Sequence, residues 1–437
     1  MPIVMRHRVV ATVTAVALGA AALTACGSSE SGDGQAESGP VSLTYWAWAP
    51  NMDKVAAIWN KKNPDIKVTV QKQASGDDLV TKIITASKAH QAPDLVQAEF
   101  QALPTLVSND ALADISKEVA GAKDAFAPGL WQQTTLGSDA VYAVPQDSGP
   151  LMFFYRTDLF QQFGLKVPTT WDEFAATART LRTKAPDKSL TTFSSNDSGL
   201  FAGLAQQAGA QWWTAQDQKW KVGIDDPATR KVADFWGGLV KEGAVDNQPM
   251  YTPAWNKALN TGQQIAWVSA VWAPGVLTTA APDTKGKWAM APLPQWDTAK
   301  PATGSWGGST TAVTTDSKHK AAAAEFATWL NTDPEALAAL VKEAGIYPAA
   351  TAAQTGGALA APPEFFAGQA DFYTKAAEIA KTTAPAAWGP NVNVAYTSFK
   401  DEFGKAAKAK SDFGAALTAM QSATVADLKK QGFEVAP

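Results

Sequence analysis

Tyr142-Ala-Val-Pro-Gln-Asp-Ser-Gly-Pro150 is followed directly by Leu151-Met-Phe-Phe-Tyr155, so that a short polar run separates two apolar segments. Pro and Gly interrupt regular strand pairing, and the chain is therefore expected to change direction or sheet here. We predict that this stretch crosses between two lobes. Gln146, Asp147 and Ser148 would then be exposed in the cleft between the lobes.

Length and composition agree with a protein of two lobes. The chain has 437 residues, of which 46% are hydrophobic and 18% charged. This is more than one small core needs, and two cores are the default expectation. The formal charge of -4 indicates no basic face, and nucleic acid is not an expected partner.

The N-terminal segment has the pattern of a secretory signal. Basic residues at 6 and 8 precede an apolar run over 9–23, which is short for a membrane span. Leu23-Thr-Ala-Cys26 resembles the lipobox of bacterial lipoproteins, which implies a signal peptide over 1–25 and lipidation of Cys26. The alternative is a free or buried cysteine. Residues 26–40 are rich in Gly, Ser and acidic residues, which predicts a flexible tether.

Strands and helices alternate from Val41 onward. Strand-like segments at 43–48, 66–70 and 93–96 are separated by segments with helical periodicity. This order predicts an α/β fold with a parallel sheet, whose ligands bind beyond the carboxyl ends of the strands. Trp46, Trp48 and Glu99 would lie at that edge. Core packing for Trp48 and plain solvation for Glu99 remain alternatives.

Three later segments complete the predicted organisation. The polar loop 194–199 precedes a helix, so Asn196 and Asp197 either meet a ligand near free backbone N–H groups or only cap that helix. The segment 265–275 repeats the pattern of an apolar strand followed by Pro and Gly, which predicts the second crossing. In Gly304-Ser-Trp-Gly-Gly-Ser309, glycines around Trp306 indicate close approach to a strand or a ligand. The predicted first lobe is therefore 41–147 with 273–315, and the second is 148–272 with 316–437.

The sequence offers little catalytic chemistry and much tryptophan. No nucleophile elbow, phosphate loop or metal-ligand spacing is found, and the carboxylate pairs lie at turns or helix starts. There are 17 Trp but only 7 Tyr, and Trp48, Trp272, Trp306 and Trp388 each lie within two residues of a Pro or Gly. An indole face beside polar groups suits the C–H face and the hydroxyls of a sugar. Arginine is scarce after the signal segment, which favours a neutral ligand.

Several motifs resemble family 1 extracellular solute-binding proteins, the carbohydrate-binding lipoproteins of ABC importers. These motifs are the opening stretch with Phe154-Tyr-Arg-Thr-Asp158, the glycine-flanked Trp306 segment with Ala322-Ala-Ala-Glu-Phe326, and Gly345-Ile-Tyr-Pro348. The resemblance implies two α/β lobes that close on a sugar, delivery to a permease, and neither catalysis nor a cofactor. It also implies stacking by Trp272 and Trp388 and a polar contact from Gln146 and Asp147. The predicted ligand-binding residues are Trp46, Trp48, Glu99, Gln146, Asp147, Asn196, Asp197, Trp272, Trp306, Gly307, Trp388 and Asn391.

The sequence thus predicts a monomeric sugar receptor, lipid-anchored at Cys26 on the outer face of the cell membrane. Two alternatives come from other classes of protein. A secreted glycoside hydrolase with a Trp-lined cleft needs two carboxylates about 5–10 Å apart across the sugar. A surface adhesin would bind a polymer without closure of the lobes.

Overall fold

Two β-sheets divide the chain into two lobes, each with its own hydrophobic core. The structure is a computed structural model that describes residues 40–216, 219–354 and 356–436. The predicted signal peptide, Cys26 and the tether up to residue 39 lie outside these residues. No helix within the described ranges is long and apolar enough to cross a membrane. The predicted two-lobed α/β class is confirmed.

The first lobe contains a mixed sheet of five strands in the order β2-β1-β3-β10-β4. Strand β1, the second in this order, pairs in parallel with β2 and β3, as the alternation of strands and helices predicts. The last strand to arrive, β10, lies antiparallel between β3 and β4. The elements from the N-terminal side are β1 (Val41–Ala47), α1 (Met52–Lys62), β2 (Ile66–Lys72), α2 (Asp77–Lys88), β3 (Leu95–Glu99), α3 (Leu103–Ser108), α4 (Pro128–Thr135) and β4 (Ala143–Pro145).

The second lobe is organised around an antiparallel sheet in the order β8-β5-β9. Side-chain caps start several of its helices: Thr170 accepts from Glu173 N at 3.1 Å, and Asp226 accepts from Thr229 N at 2.6 Å. Its elements up to the return crossing are β5 (Leu151–Arg156), α5 (Thr157–Gln162), α6 (Trp171–Lys184), α7 (Ser198–Gln207), β6 (Trp213–Gln216), β7 (Lys219–Val222), α8 (Pro227–Glu242), α9 (Pro253–Thr261), β8 (Ala266–Ala270), α10 (Ala273–Ala280) and β9 (Trp288–Pro292).

The chain then returns to the first lobe and leaves it once more. The returning elements are β10 (Ser309–Val313), α11 (Lys320–Thr332) and α12 (Pro334–Ala339). Apolar side chains of α11, among them Phe326 and Leu330, are buried in the first core. The C-terminal helices α13 (Phe372–Ala380), α14 (Val392–Ala409) and α15 (Phe413–Lys430) pack in the second core.

The predicted lobe boundaries after Trp272 differ from this arrangement. Residues 273–292 stay in the second lobe, because β9 pairs with β5 and Leu277 is buried in the second core. The second crossing therefore lies at 303–308 and not at 265–275. Residues 320–344 belong to the first lobe rather than the second, since α11 and α12 pack in its core.

The crossings meet in a small bridged unit between the lobes. The first crossing, 146–150, pairs antiparallel with the second: Trp306 N donates to Gly149 O at 2.8 Å, and Leu151 N donates to Gly304 O at 2.9 Å. A third segment, which contains Ala349, lies beside the first crossing, where Ala349 N donates to Gln146 O at 3.0 Å. These three segments, here called the hinge, place Trp306 at the floor of the space between the lobes.

Candidate functional site

A cleft of about 230 Å³ opens between the lobes above the hinge. Both lobes and the second crossing contribute to its walls, and most of the side chains are polar or aromatic. We call this space the outer cleft. Its lining includes Glu99, Gln101 and Thr105 from the first lobe, Trp306 and Gly307 from the hinge, and Asn196, Asp197, Ser198, Gly199, Asn393, Tyr396 and Lys400 from the second lobe.

Asp197 is the best-defined carboxylate of the outer cleft. It caps α7, where its Oδ1 accepts from Leu200 N at 3.1 Å. Burial raises the pKa of Asp197 to about 6, although the N–H groups of Leu200 and Gly199, the Lys400 ammonium and the Trp306 indole act in the opposite direction. The sequence left two alternatives for Asp197, a helix cap or a ligand contact. In the structure Asp197 caps α7 and also lines the outer cleft.

Trp306 owes its position to tight backbone packing and to a second indole. A Cβ added at Gly199 would lie 2.9 Å from Trp306 Cδ1, so glycine lets α7 approach the ring closely. On the other side, Trp272 Nε1 donates to Trp306 O at 3.0 Å, and the two rings meet edge to face with centroids 4.7 Å apart. Gly307, next in the chain, has φ +74°, a conformation that favours glycine.

Tyr251 stands beside Trp306 and was not predicted from the sequence. Its side chain is 47% exposed, and it is the one large hydrophobic residue of the described chain in the exposed class. Its φ of +62° is unusual for a bulky residue, and its ring centroid lies 6.5 Å from that of Trp306. A strained aromatic residue next to the cleft is typical of a functional surface.

Five of the predicted residues line the outer cleft: Glu99, Asn196, Asp197, Trp306 and Gly307. Asn196 is exposed, although its Nδ2 also donates to Met250 O at 3.2 Å. Glu99 accepts from Gln101 Nε2 at 2.7 Å. The structure thus brings together a carboxylate of the first lobe, the hinge indole and the polar loop before α7.

Four predicted residues serve other purposes. Gln146 is fully buried, and its Oε1 accepts from Tyr45 Oη at 3.2 Å and Thr311 Oγ1 at 3.0 Å, so it stabilises the first lobe. Asn391 is also fully buried and donates to Thr424 O at 2.9 Å. Trp46 packs in a core of the first lobe and donates to Gln71 Oε1 at 2.8 Å. Trp272 supports Trp306 from behind and does not line the cleft.

The last three predicted residues do not line the outer cleft. Trp48 is half-buried against the core that holds Trp46. Trp388 is half-buried on the second lobe, and its Nε1 donates across to Gln133 Oε1 of α4 at 3.1 Å. Asp147 lies in the hinge, where Oδ1 accepts from Ser309 N at 2.6 Å and Oδ2 accepts from Ser309 Oγ at 2.9 Å.

The hinge carboxylate gives a prediction about pH. Burial raises the pKa of Asp147 from 3.8 to about 6, against the effect of its bonds from Ser309. Between pH 4 and 6 the folded state therefore binds more protons than the unfolded state, and this contribution to stability is lost as pH rises through 6. The Asp147→Asn variant can keep both contacts with Ser309, and we expect it not to lose this stability as pH rises. In thermal unfolding, the melting temperature of the variant should rise relative to that of the wild type as pH increases from 4.5 to 7.5.

Asp197 has a raised pKa too, but it is present in both proteins and its contribution cancels in the comparison. A difference in melting temperature that stays constant over this pH range would contradict the assignment to Asp147.

Sequence reasoning missed the face of α14 that borders the cleft. Val392, Tyr396 and Lys400 are spaced by four residues and line the cleft together. That spacing is visible in the sequence, but it becomes informative only once the start of α14 is known to lie at the lobe interface. There Thr105 Oγ1 donates to Pro390 O at 2.9 Å, which joins the lobes beside the cleft.

The cleft can bind a polar ligand but shows no metal chemistry. Within the described ranges, no group of three or more His, Cys, Asp or Glu side chains is placed to hold a metal ion. Carboxylates and amides offer hydrogen-bond partners for hydroxyl groups, and Trp306 and Tyr396 form the aromatic part of the lining, although only 7% and 8% of these residues is exposed.

Comparisons with known proteins point in the same direction. The family model for bacterial extracellular solute-binding proteins matches residues 42–337. The lactose-binding protein of Rhizobium radiobacter is 28% identical over 352 residues, which is 75% of this chain and 79% of that protein.

Two solved structures share the fold along nearly the whole chain. One is the galacto-N-biose-/lacto-N-biose I-binding protein of the ABC transporter from Bifidobacterium longum in complex with lacto-N-biose. It has a TM-score of 0.83 and 28% identity, and the alignment covers 92% of this chain and 100% of that one. The other is the ABC transporter associated binding protein from B. animalis subsp. lactis Bl-04 in complex with β-1,6-galactobiose, with a TM-score of 0.80, 25% identity, and 91% and 100% coverage.

Proposed function

Because this chain belongs to the bacterial extracellular solute-binding proteins, we propose that it captures a neutral sugar between its lobes and delivers it to an ABC permease. The observation that carries the proposal is the outer cleft, in which the Trp306 and Tyr396 rings stand among carboxylates and amides. The rings would take the C–H faces of the sugar, while Glu99, Asn196 and Asp197 would bond its hydroxyls. The ligands of the three similar proteins, lactose, lacto-N-biose and β-1,6-galactobiose, favour an oligosaccharide.

Binding would be coupled to closure of the lobes. Polar groups from both lobes line the cleft, so a ligand contacts all of them only when the lobes are together. Such a ligand stabilises the closed state over the open one. The contacts from Thr105 to Pro390 and from Trp388 to Gln133 would form in the same movement.

We further propose that the protein works as a lipid-anchored monomer on the outer face of the membrane. The support is the signal-like segment 1–25 followed by Cys26 and a polar tether. An acylated Cys26 would hold the receptor near its permease, and two or more acyl chains would make the attachment firm. The tether would leave both lobes free to move.

The receptor should bind sugars without cleaving them. In titration calorimetry with lactose, lacto-N-biose and β-1,6-galactobiose, we expect micromolar affinity, about -8 kcal/mol, for at least one. Small-angle scattering should show a more compact protein with that sugar present. Release of new reducing ends on prolonged incubation would support a glycoside hydrolase, and sugar binding without compaction would support an adhesin.

A further inference from the structure

Tyr251 is the most exposed aromatic residue that the structure describes, and it stands beside the outer cleft. It is 47% exposed, whereas Trp306 and Tyr396, the aromatic residues of the cleft lining, are nearly covered. A sugar stacks only on a ring whose face it can reach. At this end of the cleft, the aromatic surface open to a ligand is therefore mainly that of Tyr251.

Three indoles hold the Tyr251 ring without stacking on it. The rings of Trp255, Trp267 and Trp306 have centroids 5.3, 6.4 and 6.5 Å from that of Tyr251, and their planes are inclined to it by 58°, 76° and 52°. All three indoles are buried, so they form a fixed support. Because the contacts are tilted or edge-on, the ring is held in place while none of the three lies parallel against its face. A ring that is ordered in advance loses little conformational freedom when a ligand binds.

The backbone on both sides of Tyr251 is fixed as well. Met250 N donates to Ser194 Oγ at 3.0 Å, and Asn196 Nδ2 donates to Met250 O at 3.2 Å, which ties this segment to the polar loop in the cleft wall. Directly after Tyr251, the Thr252 side chain caps α9. These bonds maintain the φ of +62°, which a bulky residue adopts only at a cost. The position of the ring thus depends on that of the cleft wall.

Tyr251 lies at the rim of the outer cleft and not within it. Trp306 and Asn196 line the cleft, and Tyr251 adjoins both, through its ring and through the preceding peptide, but it is not part of the lining itself. A ligand confined to the cleft would therefore not cover the phenol ring. A ligand that extends past Trp306 on this side would meet it.

We propose that Tyr251 forms a second sugar subsite at the rim of the outer cleft, where its ring stacks on the C–H face of a unit that projects beyond the cleft. This inference rests on the proposed sugar-receptor function and adds selection for ligand length to it. One unit is held by the polar groups of the cleft, and the next unit stacks on Tyr251. The receptor then prefers a disaccharide or longer ligand over the matching monosaccharide.

The test measures Tyr251→Ala by titration calorimetry with the disaccharide that binds best among lactose, lacto-N-biose and β-1,6-galactobiose, and with its component monosaccharides. We expect the variant to lose about tenfold in affinity for the disaccharide but less than about twofold for the monosaccharide held in the cleft. Tyr251→Phe should recover most of the loss, because stacking needs the ring and not the hydroxyl. Tyr155→Ala is the matched control, since Tyr155 is half-buried on β5 against Phe160 and does not line the cleft.

Proton NMR of the bound disaccharide separates stacking from support of Trp306. The C–H protons of one sugar unit only should shift upfield in the wild type relative to Tyr251→Ala, because they lie over the ring. If Tyr251→Ala keeps its affinity for the disaccharide, if it weakens both ligands by the same factor, or if no such shift is lost, the inference is overturned while the receptor function stands. If the wild type binds none of the three disaccharides, the receptor function itself fails and the inference falls with it.

Discussion

Replacing Trp306 by alanine is expected to weaken sugar binding about 100-fold, a loss of about 2.8 kcal/mol. The ring lines the outer cleft from the hinge, and its indole acts to lower the pKa of the Asp197 carboxylate. The substitution removes the aromatic ring from the cleft wall and also one of the groups that favour the ionised form of Asp197. Titration calorimetry with the best-binding disaccharide measures the loss, and Trp306→Phe should recover part of it.

Trp296→Ala is the matched control for that experiment. Trp296 is half-buried on the second lobe, where its ring lies 5.6 Å from that of Trp171 and Lys231 covers it at 4.2 Å. It does not line the cleft, so its removal should lower the melting temperature without changing affinity. If Trp306→Ala remains folded by circular dichroism and binds as tightly as Trp296→Ala does, the indole has no part in recognition.

The fold was predictable where its signals are local. The alternation of strand and helix patterns over 41–99 identified three parallel strands, because side-chain periodicity is set within each element. Proline and glycine after Ala143–Pro145 likewise marked the first crossing. Such signals depend on the residues themselves and not on which strand they will meet.

The order of the later crossings was not predictable in this way. The segments 265–275 and 303–309 both combine small or apolar residues with glycine, but only the second leads to the other lobe. The pairing of β9 with β5, which are more than 130 residues apart in the sequence, keeps the chain in the second lobe after the earlier segment. Pairing at that distance leaves no local pattern, so the sequence favoured the earlier segment.

The residues of the site likewise differ in how well local sequence signals predict their positions. Asp197, Trp306 and Gly307 lie in loops whose glycines require close approach, and they do line the cleft. Gln146 and Asp147 are neighbours in an extended segment and point to different sides, which their types do not reveal. Gln146 is fully buried among Tyr45 and Thr311 in the first lobe, whereas Asp147 bonds Ser309 in the hinge. A polar residue beside a proline is thus a weak indicator of a ligand contact.

Gly149 marks the closest approach of two backbone segments in the hinge. A Cβ added there would lie 2.1 Å from Trp306 O, 3.0 Å from Trp306 C and 3.3 Å from Gly307 C. All three are backbone atoms, so no side-chain rotation can make room. The two crossings would have to separate, although Trp306 N donates to Gly149 O at 2.8 Å. Any such shift also moves the Trp306 ring relative to Asp197.

Gly149→Ala should therefore impair both stability and binding. We expect the free energy of unfolding to fall by about 3 kcal/mol, which lowers the melting temperature by roughly 3–4 °C in a chain of this length, and affinity for the disaccharide to fall at least about tenfold. Gly275→Ala is the matched control, because a Cβ there meets nothing within 4 Å and alanine in α10 should add about 0.5–1 kcal/mol of stability. Differential scanning calorimetry with and without the sugar measures both effects. Equal melting temperatures and affinities for the two variants would mean that the crossings separate at little cost, and the hinge would then not fix Trp306.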